Sequence, residues 1–245
     1  MELGNEQWQA LLRTEWAGFD LDDTLHEFRK ASKIAASQVF SEIHQEYGIS
    51  VENLESSYRQ VLADMTAEAF TDGKLSSDYR RERFTALLQA YSIMPSKIYM
   101  DHLLARYKDS LATSLALKPG ALDLMQKLKA SGRRIIVISE GPLDAQEWTI
   151  QQLGLDVYVD VLVTSNGLRR SKTNGLFREV LKMYKIPAAR MMYIGDNYIR
   201  DVVPARDEGI LAVHLDEYSA GCREDEDESM KVSSLTQLGL LFNAC

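Results

Sequence analysis

Asp20 and Asp22 are separated by one residue at the end of the apolar run Gly18-Phe19-Asp20-Leu21-Asp22-Asp23-Thr24-Leu25. In an extended strand, residues i and i+2 point to the same face, so continued extension brings both carboxylates to one site. Such a pair can divide labour. One carboxylate stays ionised, attacks phosphorus and binds a metal, while the other holds a proton for the leaving oxygen. Burying two charges for packing alone is costly, so the competing reading places both in a solvent-exposed turn.

Three further segments carry compatible groups. Arg134-Ile135-Ile136-Val137-Ile138-Ser139-Glu140-Gly141 has the pattern of a buried strand ending in a hydroxyl and a glycine turn, and Ser139 could hold a phosphoryl oxygen. Lys172 precedes a stretch of helical periodicity running to Tyr184, and its ammonium suits both a bound phosphate and nearby carboxylates. Met191-Met192-Tyr193-Ile194-Gly195-Asp196-Asn197 is another short apolar strand with an acidic end, followed by Asp201. Oxygen donors of this kind suit a hard cation such as magnesium.

Taken in order, Asp20/Asp22/Thr24, Ser139, Lys172 and Gly195-Asp196 with Asp201 resemble the four motifs of the haloacid dehalogenase superfamily of phosphohydrolases. The resemblance runs from Trp16 to about Leu215, and phosphoglycolate phosphatase and pyrimidine nucleotidase-like members are similar. It implies that Asp20 is the nucleophile, forming an aspartyl-phosphate, and that Asp22 is the acid and then the base. It implies a magnesium site made by Asp20, the Asp22 backbone carbonyl and Asp196, with Thr24 and Asp201 ordering the loops behind it. Ser139, Lys172 and main-chain N–H groups, including that of Glu140, would hold the phosphoryl oxygens. The implied reaction is hydrolysis of a small phosphorylated metabolite, a nucleotide monophosphate among the candidates. A phosphomutase would share the covalent half of this chemistry, and a catalytically silent binding module would keep only the fold. A dehalogenase would use neither Asp22 nor Asp196 in this way.

Two positions depart from the commonest pattern. Asp23 stands where many relatives have Gly, and reads as a solvent-facing turn residue. Glu140 stands where Asn is frequent, and its negative side chain must turn away from a phosphate or meet a cation or hydroxyl.

The composition fits an enzyme of this kind. The chain has 245 residues, 45% of them hydrophobic, enough to bury a sizeable core. A formal net charge of −8 argues against a nucleic-acid polymer as partner. The two cysteines, Cys222 and Cys245, make neither a disulfide framework nor a metal set. With no basic leader and no bilayer-length apolar span, the expected location is the cytoplasm, with no membrane partner. Oligomeric state is left open.

The elements that must position these groups read as a split α/β core, a Rossmann-like parallel sheet, with an inserted α-helical cap. Residues 1–15 form an N-terminal helical extension able to dock through Trp8, Leu11 and Leu12. Residues 16–25 and 115–245 form the discontinuous core, with strands near 134–139, 158–163, 191–195 and 210–214. Residues 26–114 form the cap, with helices expected over 27–47, 51–70, 78–91 and 95–111. His26, close to the first motif, could touch substrate at the cap hinge but reads more readily as a loop histidine without a role, and His44, His102 and His214 are too scattered for a metal set. Arg80-Arg81-Arg83 is either a solvated helix face or a steering patch for an anionic leaving group, with Arg80 and Arg83 together on the helix. The acidic run 224–228 reads as a solvated loop.

Overall fold

The computed structural model describes residues 5–65, 70–217 and 230–242. Six parallel strands form one sheet in the order β3-β2-β1-β4-β5-β6: β1 (Trp16–Phe19), β2 (Arg134–Ser139), β3 (Val161–Thr164), β4 (Met191–Gly195), β5 (Leu211–Leu215) and β6 (Met230–Val232). β1 and β4 are buried along their whole length and β2 everywhere except Arg134, because helices cover both faces of the sheet. That explains why their sequences are continuous apolar runs, not alternating ones. The third strand begins at Val161, since 158–160 belong to the preceding turn, and the three-residue β6 was not anticipated.

Alternate side chains sort onto two cores. Ala17, Phe19, Ile135, Val137, Met192 and Ile194 face one side, covered by α6 (Ala121–Ala130) and α11 (Leu235–Leu240). Trp16, Ile136, Ile138, Met191 and Tyr193 face the other, under α9 (Leu176–Tyr184) and α10 (Val203–Asp207). Two further helices, α7 (Leu143–Gln152) and α8 (Ser165–Leu168), follow β2 and β3. The N-terminal helix α1 (Asn5–Leu12) docks through Trp8 and Leu11, but Leu12 is exposed.

Between β1 and β2 the chain builds four helices: α2 (Phe28–Tyr47), α3 (Val51–Met65), α4 (Ser76–Gln89) and α5 (Lys97–Ser114). They enclose their own apolar core of Val39, Phe40, Ile43, Leu54, Phe84, Leu87 and Leu103, among others. The left-handed Gly48 ends α2, and the Ser96 hydroxyl caps α5 by accepting the Tyr99 N–H. The second cap helix runs from Val51 through Met65, and residues 66–69 of its expected span lie outside the described residues. The chain leaves and re-enters the sheet layer side by side, through a bridge between His26 and Leu117. Among the described residues no helix is long and apolar enough to cross a membrane. Cys222, Cys245 and the acidic run 224–228 lie outside the described residues.

Candidate active site

The sheet reverses its winding direction at β1, whose neighbours are β2 and β4. In open α/β sheets this is where the carboxyl ends of the strands leave a crevice. Asp20 follows β1 and Asp196 follows β4, while Ser139 is the last residue of β2. Phe19 is in register with Val137 and Ile194, so β2 and β4 run on past the end of β1, to Ser139 and Gly195, alongside the turn that begins at Asp20.

Lys172, 3% exposed, joins the carboxylates. Its Nζ donates to Asp20 Oδ1 at 2.6 Å and to Asp201 Oδ1 at 2.5 Å. Burial opposes a charged ammonium, but the two carboxylates outweigh it and hold the Lys172 pKa above its ordinary value. One ammonium cannot neutralise the whole cluster. Burial pushes the Asp20 carboxyl well above the usual range against the pull of Lys172, and the charges of Asp201 and Asp22 add to the rise. Asp196 is also raised, by burial first and then by Asp201, with Arg29 opposing.

Asp201 is committed to protein donors on both oxygens. Besides Lys172, its Oδ1 accepts from the Tyr193 hydroxyl at 3.3 Å, and its Oδ2 accepts from Asn197 N–H at 3.0 Å. Two glycines make this packing possible. A methyl at Gly195 would overlap the Asp201 carboxylate, and one at Gly18 would lie 2.8 Å from the Tyr193 ring. Thr24, fully buried, accepts the Asp196 N–H at 3.1 Å and so ties the turn after β1 to the loop after β4.

Asp22 is oriented by residues whose part in the site the sequence did not disclose. His26 Nε2 is 2.9 Å from Asp22 Oδ1, and Gln146 Nε2 donates to Asp22 Oδ2 at 3.3 Å. The expectation of an idle loop histidine is therefore corrected: His26 is completely buried against Asp22. Gln146 lies on α7, and two residues earlier Asp144 accepts the Ser76 hydroxyl at 2.7 Å and N–H at 3.0 Å, which pins the start of α4. One helix thus grips both Asp22 and the cap. His214 Nε2 lies 3.2 Å from the Asp196 carbonyl oxygen, behind the same loop.

Asp23 is also corrected. Its backbone is left-handed at φ 60°, a conformation that Asp tolerates better than most residues. Its carboxylate is not solvent-facing; it accepts the Arg29 N–H at 3.0 Å and pairs with the guanidinium at 3.1 Å. Arg29 also reaches Asp196 Oδ2 at 3.2 Å. Glu140 turns its side chain away from the crevice, accepting the Lys172 N–H at 2.9 Å and pairing with Arg200. Ser139 is the opposite case. Its hydroxyl is buried and has no hydrogen-bond partner among the described residues.

The donor set fits a small hard cation. One oxygen each of Asp20, Asp196 and Asp201 lie within 4.8 Å of one another, those of Asp201 already accepting from Lys172, Tyr193 and Asn197. The carboxyls of Asp20 and Asp196 are raised by burial first and by neighbouring carboxylates after it, and a divalent ion at this cluster would stabilise their charged forms. The arrangement offers a buried carboxylate, one ammonium paired with it, an orphaned hydroxyl and a second oriented carboxylate. Those are the parts needed to transfer a charged group from oxygen to oxygen.

Comparison with known proteins agrees with this geometry. The chain is 26% identical over 224 residues to a glyceraldehyde 3-phosphate phosphatase of Methanocaldococcus jannaschii, covering 90% of this chain and 93% of the relative. It is 21% identical over 234 residues to the pyrimidine 5'-nucleotidase YjjG of Escherichia coli, covering 94% and 99%. Its fold superimposes with a TM-score of 0.70 on a putative HAD-hydrolase, YfnB of Bacillus subtilis, at 20% identity, covering 94% of this chain and 99% of that one. The model of the haloacid dehalogenase-like hydrolases matches residues 15–209, and the chain belongs to that family.

Proposed function

We propose that this protein is a magnesium-dependent phosphatase that hydrolyses a small phosphorylated metabolite, a sugar phosphate or a nucleotide, through an aspartyl-phosphate on Asp20. The observation that carries the reading is the Asp20 carboxylate, buried at the end of β1 with Lys172 Nζ 2.6 Å away. Relatives named for a triose phosphate and for a pyrimidine nucleotide support the substrate class.

In this reading the division at 25/26 and 114/115 separates the catalytic core from its cap. Lys172 and the Ser139 hydroxyl hold two phosphoryl oxygens, and the main-chain N–H of Glu140 is assigned to the same task. Asp20 attacks phosphorus in line as the bond to the leaving oxygen breaks, and Asp22 delivers its proton to that oxygen. Asp22 then takes a proton from water, which attacks phosphorus and releases Asp20 and inorganic phosphate. Asp20, Asp196 and the Asp22 backbone carbonyl are the residues that would hold magnesium, with Asp201 placing Lys172 and the loop. When bound, the ion would supply positive charge against the accumulating negative charge of the transferring group. Desolvation makes a carboxylate reactive here, because the groups that stabilise the transition state are fixed before substrate arrives.

Phosphate release from p-nitrophenyl phosphate and from a panel of sugar phosphates and nucleotides, with magnesium present, tests this reading. Turnover together with a phosphoenzyme that is lost in Asp20→Asn is the expected result. No phosphate release across the panel would overturn it. Conversion to an isomeric phosphate without release would indicate a mutase instead.

A further inference from the structure

The three arginines of α4 do not share one fate. Arg81 points outward to Asp101, at 2.7 Å. Arg80 and Arg83, one helical turn apart, lie on another face. The Arg80 guanidinium stacks 5.1 Å from the Tyr107 ring centre, and the Arg83 guanidinium lies 5.5 Å from that of Phe70. Neither forms an ion pair among the described residues, although the chain as a whole carries a net charge of −8. Arg83 also presents a buried Nη2 with no hydrogen-bond partner among the described residues. A buried guanidinium donor left unpaired is costly, and its best partner is an anionic oxygen.

Tyr107, 7% exposed, places this pair relative to the chemistry. Burial raises its phenol, and the charges acting on it come from Arg80 and Arg83 on the one hand and from Asp22 on the other. Tyr58, 8% exposed, is raised by burial and feels Tyr107 and the same two arginines. The start of α4 is held on the core by Asp144 of α7, the helix whose Gln146 touches Asp22. Arg80 follows Ser76 by one turn of α4, so the contacts Ser76–Asp144 and Gln146–Asp22 bring the start of this arginine face to the side of α7 that holds Asp22.

We infer that Arg80 and Arg83 form a subsite for a second anionic group, a carboxylate or a phosphate, on the leaving group of the substrate. The inference rests on the phosphatase reading given above. It narrows that reading from phosphate monoesters in general to those whose alcohol is itself charged. Arg80 reaches the anion while stacked on Tyr107, and Arg83 does so with the nitrogen that the fold leaves unpaired.

The test compares esters that differ only at the far end of the leaving group. Glycerol 3-phosphate, glyceraldehyde 3-phosphate and 3-phosphoglycerate share a three-carbon chain ending in an alcohol, an aldehyde or a carboxylate. Fructose 6-phosphate and fructose 1,6-bisphosphate provide the phosphate arm. The wild-type protein should favour the doubly anionic member of at least one arm in kcat/KM by on the order of tenfold or more. The favoured arm identifies the anion. Arg80→Gln and Arg83→Gln should bring that ratio toward one, Arg83→Lys should restore part of it, and Arg81→Gln should preserve it. Thermal melting of each variant separates loss of the subsite from loss of fold. No preference in the wild type, or a ratio unchanged in both Arg80→Gln and Arg83→Gln, would overturn the inference while phosphate release still upheld the phosphatase reading. No release from any ester, p-nitrophenyl phosphate included, would remove both.

Discussion

His26 Nε2 lies 2.9 Å from Asp22 Oδ1, and the imidazole is wholly buried at the bridge where the chain passes from the sheet into the helical insertion. In the mechanism proposed above Asp22 is the general acid, which must be aimed as well as protonated, and this contact, with Gln146 on the other oxygen, orients its carboxyl. We expect His26→Ala to slow hydrolysis of alkyl phosphates, whose leaving oxygens need a proton, by about tenfold or more. Hydrolysis of p-nitrophenyl phosphate should suffer much less, because its leaving group departs as an anion. A purely structural role would slow both alike, so the ratio of the two rates is the measurement.

Asp20→Asn should leave the fold intact and abolish turnover. The amide keeps the volume but removes the attacking charge and one of the two carboxylates that hold Lys172. Incubation with labelled substrate followed by acid quench and gel separation gives the readout. Radiolabel retained on Asp20→Asn would place the covalent step on another residue.

Asp196→Ala should raise the magnesium concentration needed for half-maximal activity, since it deletes one of three clustered carboxylate oxygens. Asp201→Ala should act differently, lowering the maximal rate through Lys172 and the Asn197 loop, both of which it holds. Calcium should inhibit the wild type in competition with magnesium, its looser coordination misaligning the reacting groups. Magnesium titrations of the three proteins, with and without calcium, separate these effects. An unchanged magnesium response in Asp196→Ala would remove it from the ligand set.

Gly195→Ala tests the packing beneath the site. The added methyl collides with the Asp201 side chain and forces it off Lys172. Activity should fall on the order of a hundredfold, since small misplacements of a preorganised group are amplified in rate. Circular dichroism should show an unchanged fold, and wild-type turnover in this variant would show that the Asp201–Lys172 contact is dispensable.

A stability prediction concerns Asp160, away from the crevice. Burial alone would raise its carboxyl, but the Lys129 ammonium and the Ile135 N–H, 2.9 Å and 2.6 Å away, win and hold it below the ordinary value. A carboxyl lowered in the folded state contributes stability that is complete above its unfolded pKa and is lost as pH falls through the folded one. Asp160→Asn should therefore cost about 1 kcal/mol at neutral pH, solvent screening keeping the ion-pair share small. The gap from wild type should close in denaturant titrations repeated below about pH 4. A gap constant with pH would assign the loss to geometry and not to charge.

The strands that end in Asp20, Ser139 and Gly195 were legible because a strand buried on both faces must be written as a continuous apolar run, and the polar residue that ends it is conspicuous. Lys172 was legible for its type and place in the order, though not its simultaneous grip on Asp20 and Asp201. The supports of Asp22 were not legible. His26 acts through a turn that folds back on itself, and Gln146 arrives from more than a hundred residues downstream with no local pattern to mark it. The three arginines of α4 show the same limit. Helical spacing put Arg80 and Arg83 on one face, but only packing showed that Arg81 has an acidic partner while the other two face aromatic rings. β6 escaped notice because three residues, Met230–Val232, are too short to establish a period.

The register of β1 bears on how the chain acquires this structure. Trp16 pairs with Arg134 on one side and with Met191 on the other, so the first strand made is flanked by strands made much later. Helices α2 to α5 need only near neighbours and can condense while β1 still lacks both partners. Closing such distant pairings early is entropically expensive, and chains dominated by them fold slowly. A nascent or truncated chain that ends before Met191 leaves one side of β1 as an open row of amides and carbonyls beside an apolar face. That fragment should recruit other strands and aggregate, whereas extension through Gly195 satisfies both sides of the central strand.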